Sequence, residues 1–128
     1  MSEPADAPTW LEQAEVELRV ARHLLAAADL PPTPAAFHAH LAAEKALKAA
    51  LIRSGVEPPK VHQLNRLLAE LGDLHRRGFD PEDLDLVNPW AVAGRYPSAA
   101  VLLREEAVTI VEAAARIVEA ARGLLDQA

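Results

Sequence analysis

A chain of 128 residues, 51% hydrophobic and 25% charged, has the size and apolar content of one globular domain around one core. Two Phe, one Tyr and two Trp disfavour an aromatic-rich β-sandwich, and the absence of cysteine excludes disulfides, thiolate metal sites and a cysteine nucleophile. The net charge of −6 argues against nucleic-acid binding driven by overall field, although residues 45–77 hold seven Lys/Arg against three Asp/Glu, a basic middle between two acidic ends.

The N-terminal MSEPADAP lacks the basic start and apolar run of a signal peptide, and no unbroken apolar stretch approaches roughly 18 residues. A cytoplasmic protein with no membrane span is expected, with residues 1–8 as a flexible tail of a single domain over 1–128. Thr9 and Glu12 fit a capping box, and Leu11, Ala14, Leu18, Ala21 and Leu25 recur at helical spacing. A first helix is therefore predicted over 10–28, with Glu15 placed to pair with Arg19 on its outer face.

LPPTP stops that helix and starts the next, predicted over 34–53, with Thr33 as candidate cap, Pro34 at the first helical position and Gly55 at the end. A shorter helix is predicted over 62–71, followed by an irregular basic connection, DLHRRG. Asp80 and Pro81 open another short helix, which Asn88 and Pro89 interrupt. A long final helix over 98–126 carries Leu103, Ala107, Ile110, Ala114, Ile117, Ala121 and Leu125 in one stripe. Three long helices and two short ones joined by short loops make an all-α, up-and-down bundle.

The second helix is the informative one. Phe37, Leu41, Leu47, Leu51 and Ile52 lie within one arc of about 140°, predicted to face the core, yet Glu44 and Lys48 sit near its centre with His40 and Lys45 toward its edges. Burying such a pair costs several kcal/mol per ion in desolvation, roughly, unless partners compensate. The layer is thus either a structural salt bridge or a polar site facing a ligand or a second subunit. On the opposite face Ala39, Ala42, Ala43, Ala46, Ala49 and Ala50 permit close helix approach, which predicts a central helix packed on both sides.

The run AFHAHLAAEKALKAALIRSG, then P-x-x-H-Q-L, then R-Y-P before the last helix resembles the HEPN domain family. These motifs cover roughly half of the chain, in the family's order. The resemblance implies a helical bundle, often a homodimer, and in prokaryotes often a partner of a minimal nucleotidyltransferase. Some members are ribonucleases, toxins of toxin–antitoxin pairs among them, and others bind nucleotides without cleaving them. The ribonucleases carry an Arg followed after four to six residues by His. Here Arg95 meets Ala100, Val101 and Leu102 at that spacing, and no other Arg matches.

The leading expectation is therefore a non-catalytic HEPN module that binds a nucleotide or RNA through Glu44, Lys45, Lys48, Arg53, His62, Arg95 and Tyr96. Lys and Arg supply the charged donors that phosphate oxygens need, but no Gly-rich phosphate loop accompanies them. Arg95 has an alternative role as an ion-pair partner of Glu44, with Tyr96 and Pro97 shaping the turn. A ribonuclease with a diverged site, using His38, His40 or His62 with Arg95, and a purely structural dimerisation protein are the competing readings. Trp10 and Trp90 are stacking platforms or core pieces. His38 and His40, two apart on a helix, diverge by about 200° and are unsuited to one metal ion, and no cofactor is expected.

Overall fold

The computed structural model describes residues 5–93 and 101–127. Three long helices dominate it: α1 (Ala7–Ala26), α2 (Thr33–Arg53) and, at the end of the chain, α7 (Arg104–Leu125). Between the last two lie α3 (Leu64–Ala69), α4 (Asp73–Arg76), α5 (Pro81–Val87) and α6 (Trp90–Ala93), of which α4 and α6 are single turns. The architecture is the expected all-α bundle, and no strand occurs among the described residues.

Helix boundaries follow backbone hydrogen-bonding needs. α1 starts earlier than its apolar periodicity predicts, inside the segment read as a tail, because Asp6 rather than Thr9 caps it: Asp6 Oδ1 accepts the Thr9 amide at 2.9 Å. Pro8 sits in the first turn, where no amide donor is required. Thr33 is the first helical residue of α2 rather than its cap, and Pro32 before it offers no side-chain bond. At the far end Gly55, at φ +80°, closes a Schellman motif, in which Val56 N bonds Leu51 O at 2.9 Å and Gly55 N bonds Ile52 O at 3.0 Å.

The run predicted as one helix over 62–71 shortens to α3, which starts only where Asn88 Oδ1 accepts the Leu64 amide at 2.9 Å. Part of DLHRRG, expected to be irregular, winds into α4, and His75 in that turn meets Ser54 Oγ at 2.9 Å. α7 begins at Arg104, not near Ser98, since residues 101–103 are not helical and Leu103 is extended; Ser98 itself lies outside the described residues. Arg104 braces the end of α1, donating to Leu25 O at 2.5 Å, a last-turn carbonyl that helix termination exposes, and to Leu30 O at 2.7 Å in the connection to α2.

The core corrects the predicted orientation of α2. Its alanine face, Ala35, Ala36, Ala39, Ala42, Ala43, Ala46, Ala49 and Ala50, is 0% exposed and lies in the seam where α2 packs against α1 and α7. Of the arc expected to face inward, Leu47 and Leu51 are buried, while Phe37, Leu41 and Ile52 are only half-buried. Small side chains let helix axes approach closely, so three backbones meet along the alanines and the larger residues fill the flanks. The expectation of a central helix packed on both sides holds, with the two faces exchanged in depth. In α7 the stripe Ala107, Ile110, Ala114, Ile117 and Ala121 is buried as predicted, whereas Leu103 is exposed.

Candidate functional site

Because the alanines take the seam, the helical period carries Glu44 and Lys48 to the flank of α2, beside the loop that follows Gly55. Glu44 is 7% exposed, and each of its carboxylate oxygens accepts a hydrogen bond. Oε2 accepts from Lys48 Nζ at 3.0 Å, one turn along in the predicted order. Oε1 accepts from His62 Nδ1 at 3.0 Å and lies 3.8 Å from His40 Nδ1.

His40 is 1% exposed, and its Nε2 donates to the His62 carbonyl at 2.9 Å. Two bonds from one helix turn, one to the His62 ring and one to its backbone, therefore hold the loop against α2. Burial pushes the Glu44 carboxyl up, but the hydrogen bonds from His62 and Lys48 and the charges of Lys48 and His40 outweigh it, leaving the group below its ordinary value. Glu44 is accordingly an anion at neutral pH, matched by donors rather than stranded.

With Nδ1 committed to Glu44, the outer His62 nitrogen, Nε2, belongs to a side chain that is 63% exposed. Carboxylate-held imidazoles of this kind have one tautomer and a fixed ring direction. Lys48 completes the layer from the other side: its ammonium stands over the Trp10 ring, 5.5 Å from the centroid. Next to it opens a groove of about 660 Å³ whose walls include Trp10, Lys48, Ile52, Pro58, Pro59 and Lys60. Flat apolar walls and two ammonium groups in one concavity suit a ligand with a planar ring and negative charge.

The other sequence candidates are elsewhere. Lys45 Nζ pairs with Glu17 on α1 at 3.4 Å, and Glu17 also binds His38 Nδ1 at 3.2 Å. His38 and His40 thus serve different partners. Arg53 Nη2 donates to the Gln127 carbonyl at 3.1 Å, tying the end of α2 to the chain after α7. Arg95 and Tyr96 lie outside the described residues, as does the candidate pairing of Arg95 with Glu44. Glu44, Lys48 and His62 are therefore the three candidates that converge, joined by His40 and Trp10. Trp90 is half-buried against the core.

Sequence reasoning missed Asp83, a buried acid of α5 that holds Arg116 of α7 bidentately, with Nη2 to Oδ1 at 2.8 Å and Nε to Oδ2 at 3.1 Å. Asp83 was legible only as a first-turn acid of a short helix. Asn88, a helix interrupter by sequence, also positions the start of α3 just beyond His62 with its side chain.

A buried, donor-matched acid beside an oriented histidine and a lysine, on the flank of an all-helical bundle, marks the chain as a small helical module. The chain belongs to the HEPN domain family, whose model matches residues 7–124, a family of nucleotide- and RNA-related modules. Among solved structures it is similar to TT1696 from Thermus thermophilus, with TM-score 0.79 and 29% identity over 93% of this chain and 98% of that one. It also shares its fold with ST0689, an archaeal HEPN homologue, at TM-score 0.76 and 22% identity over 96% of this chain and 100% of that one. No curated protein matches the chain significantly. No helix among the described residues is long and apolar enough to cross a membrane.

Proposed function

We propose that this protein is a non-catalytic HEPN module that binds a nucleotide or RNA end on the α2 flank and acts as a homodimer beside a minimal nucleotidyltransferase. One observation carries the ligand part: Lys48 bridges the buried Glu44 carboxylate and the Trp10 ring at the edge of the groove lined by Pro58, Pro59 and Lys60. A base has an apolar wall to lie on there, and its phosphates have two ammonium groups within the same concavity. The absence of an Arg-x4-6-His pair supports a binding role. Exposed Val92, beside Ala91 and Pro89 in a second groove that His62 also lines, supports the homodimer.

ATP, GTP and a short RNA added to the protein during thermal unfolding test this reading. A rise in Tm that disappears in Lys48→Ala supports it. An unmoved melting curve at millimolar nucleotide removes the ligand, and a monomer by sedimentation removes the dimer.

The ribonuclease reading has its own observation, the His62 ring held by Glu44 with Nε2 outward, which suits proton transfer to or from a 2′-hydroxyl. Cleavage of tRNA or mRNA in chelator, lost in His62→Ala, would replace the binding reading with this one. The structural reading treats the Glu44 and Lys48 layer as a strut alone. It is distinguished by replacing both residues with hydrophobic ones, which then leaves ligand binding untouched.

A further inference from the structure

We infer that the groove between α1 and α7 is a second, separate anion site that takes a compact phosphate chain through Arg19, Arg22 and Arg116. The groove encloses about 520 Å³, and four arginines line it, Arg19 and Arg22 from α1 and Arg116 and Arg122 from α7. The chain as a whole is acidic, at −6, so this clustering runs against its mean field.

The four guanidinium groups are not equivalent. Arg122 is paired with Glu15, and Arg116 is held through Nε and Nη2 by the buried Asp83 carboxylate, which leaves Nη1 of Arg116 without a partner among the described residues. Arg19 and Arg22 have no hydrogen bond or ion pair among the described residues. Glu15, predicted to pair with Arg19, turns to α7 instead, and that choice leaves the Arg19 fork free. Two acids therefore immobilise one side of the groove while the opposite side keeps two unneutralised forks, one helical turn apart at i and i+3.

A guanidinium fork matches two phosphate oxygens, and forks on both walls require a ligand with several oxyanion groups close together. Glu119 and Glu15 also line the groove. They limit the favourable footprint to a short ligand and oppose a long polyanion laid along it. The floor, formed by Leu18, Ala115 and Val118, is aliphatic and offers a base no aromatic surface. The ligand class is thus a di- or triphosphate recognised by its phosphates, free or at the end of a nucleotide.

Isothermal titration of the full chain with tripolyphosphate and with ATP, at near-physiological salt, tests the inference. Tripolyphosphate is expected to bind wild type and Lys48→Ala with the same Kd, which separates this site from the α2 flank. Removing both free forks in Arg19→Ala/Arg22→Ala is expected to weaken it about a hundredfold, about tenfold for each lost charge-assisted bond. Arg19→Lys/Arg22→Lys keeps the charge and recovers only part of the affinity. Both arginines are exposed, so circular dichroism is expected to find these variants folded. In Lys48→Ala, where the α2 flank is disabled, equal binding of ATP and tripolyphosphate assigns recognition in this groove to the phosphates. The inference is overturned by no binding at millimolar tripolyphosphate, by tripolyphosphate binding that survives in the double alanine variant, or, in Lys48→Ala, by binding confined to ATP. It is overturned equally if only a single-stranded RNA binds and loses affinity in that variant, since the groove is then a nucleic-acid track.

Discussion

His62 Nδ1 stands 3.0 Å from Glu44 Oε1, although His62 lies in a loop and Glu44 in the middle of α2. The same histidine returns a backbone carbonyl to His40, one turn before Glu44, at 2.9 Å. Loop and helix are therefore locked by a reciprocal pair of bonds around one buried carboxylate. Whatever ligand or partner meets this flank, its shape rests on the charge of Glu44.

Removing that charge by truncation takes away the acceptor of Lys48 Nζ and His62 Nδ1 and leaves a void beside them. Glu44→Ala is expected to destabilise the fold by roughly 1–3 kcal/mol, the range for stranding part-buried polar partners. Glu44→Leu with Lys48→Met is expected to recover most of that loss or exceed wild type, because no desolvated ion remains. Urea unfolding of the three proteins checks the order; a double variant weaker than Glu44→Ala would contradict it.

Acidification gives a second expectation. The Glu44 carboxyl titrates lower in the folded chain than its unfolded value of about 4.5, so the folded state favours the deprotonated form. Its contribution is present in full above about pH 4.5 and declines as pH falls through the folded value. Stability measured from about pH 6 downward is expected to fall more steeply for wild type than for Glu44→Gln, which cannot titrate. Parallel profiles would show that other carboxylates dominate.

The alanine seam leaves no room for growth. Ala46→Leu forces a branched side chain between helix backbones and is expected to cost about 1–3 kcal/mol by overpacking. Ala46 is 0% exposed, so the side chain cannot swing into solvent. A thermal scan that finds Ala46→Leu as stable as wild type would mean that the three long helices slide apart easily.

Gly55 isolates backbone strain from packing. Its φ of +80° is one that side chains resist, and a Cβ there would meet nothing within 4 Å. Gly55→Ala is expected to cost about 1 kcal/mol and Gly55→Asn less, since asparagine tolerates this conformation better. Equal losses in denaturant titrations would point to a contact rather than to φ.

Much of this architecture is local and was readable in the sequence. Proline and glycine punctuation, together with 3.6-residue periodicity, determines where long helices run, because both act within a few residues of the chain. The bond between Glu44 and Lys48 was legible for the same reason: four residues on a helix always face one another. The family resemblance was legible in the ordered motifs AFHAHLAAEKALKAALIRSG, P-x-x-H-Q-L and R-Y-P. The depth of each face was not legible, since apolar size suggested Phe37 and Leu41 as core while close packing selected the alanines. Nor could the sequence reveal which stripe of one helix meets which of another. Only the tertiary structure brought His62 to Glu44 and Asp83 to Arg116. It likewise drew Arg19 and Arg22, from the first acidic segment, and Arg116 and Arg122, from the last, into one groove. Those contacts depend on interhelical rotation, which many weak packing terms decide together and no local pattern encodes.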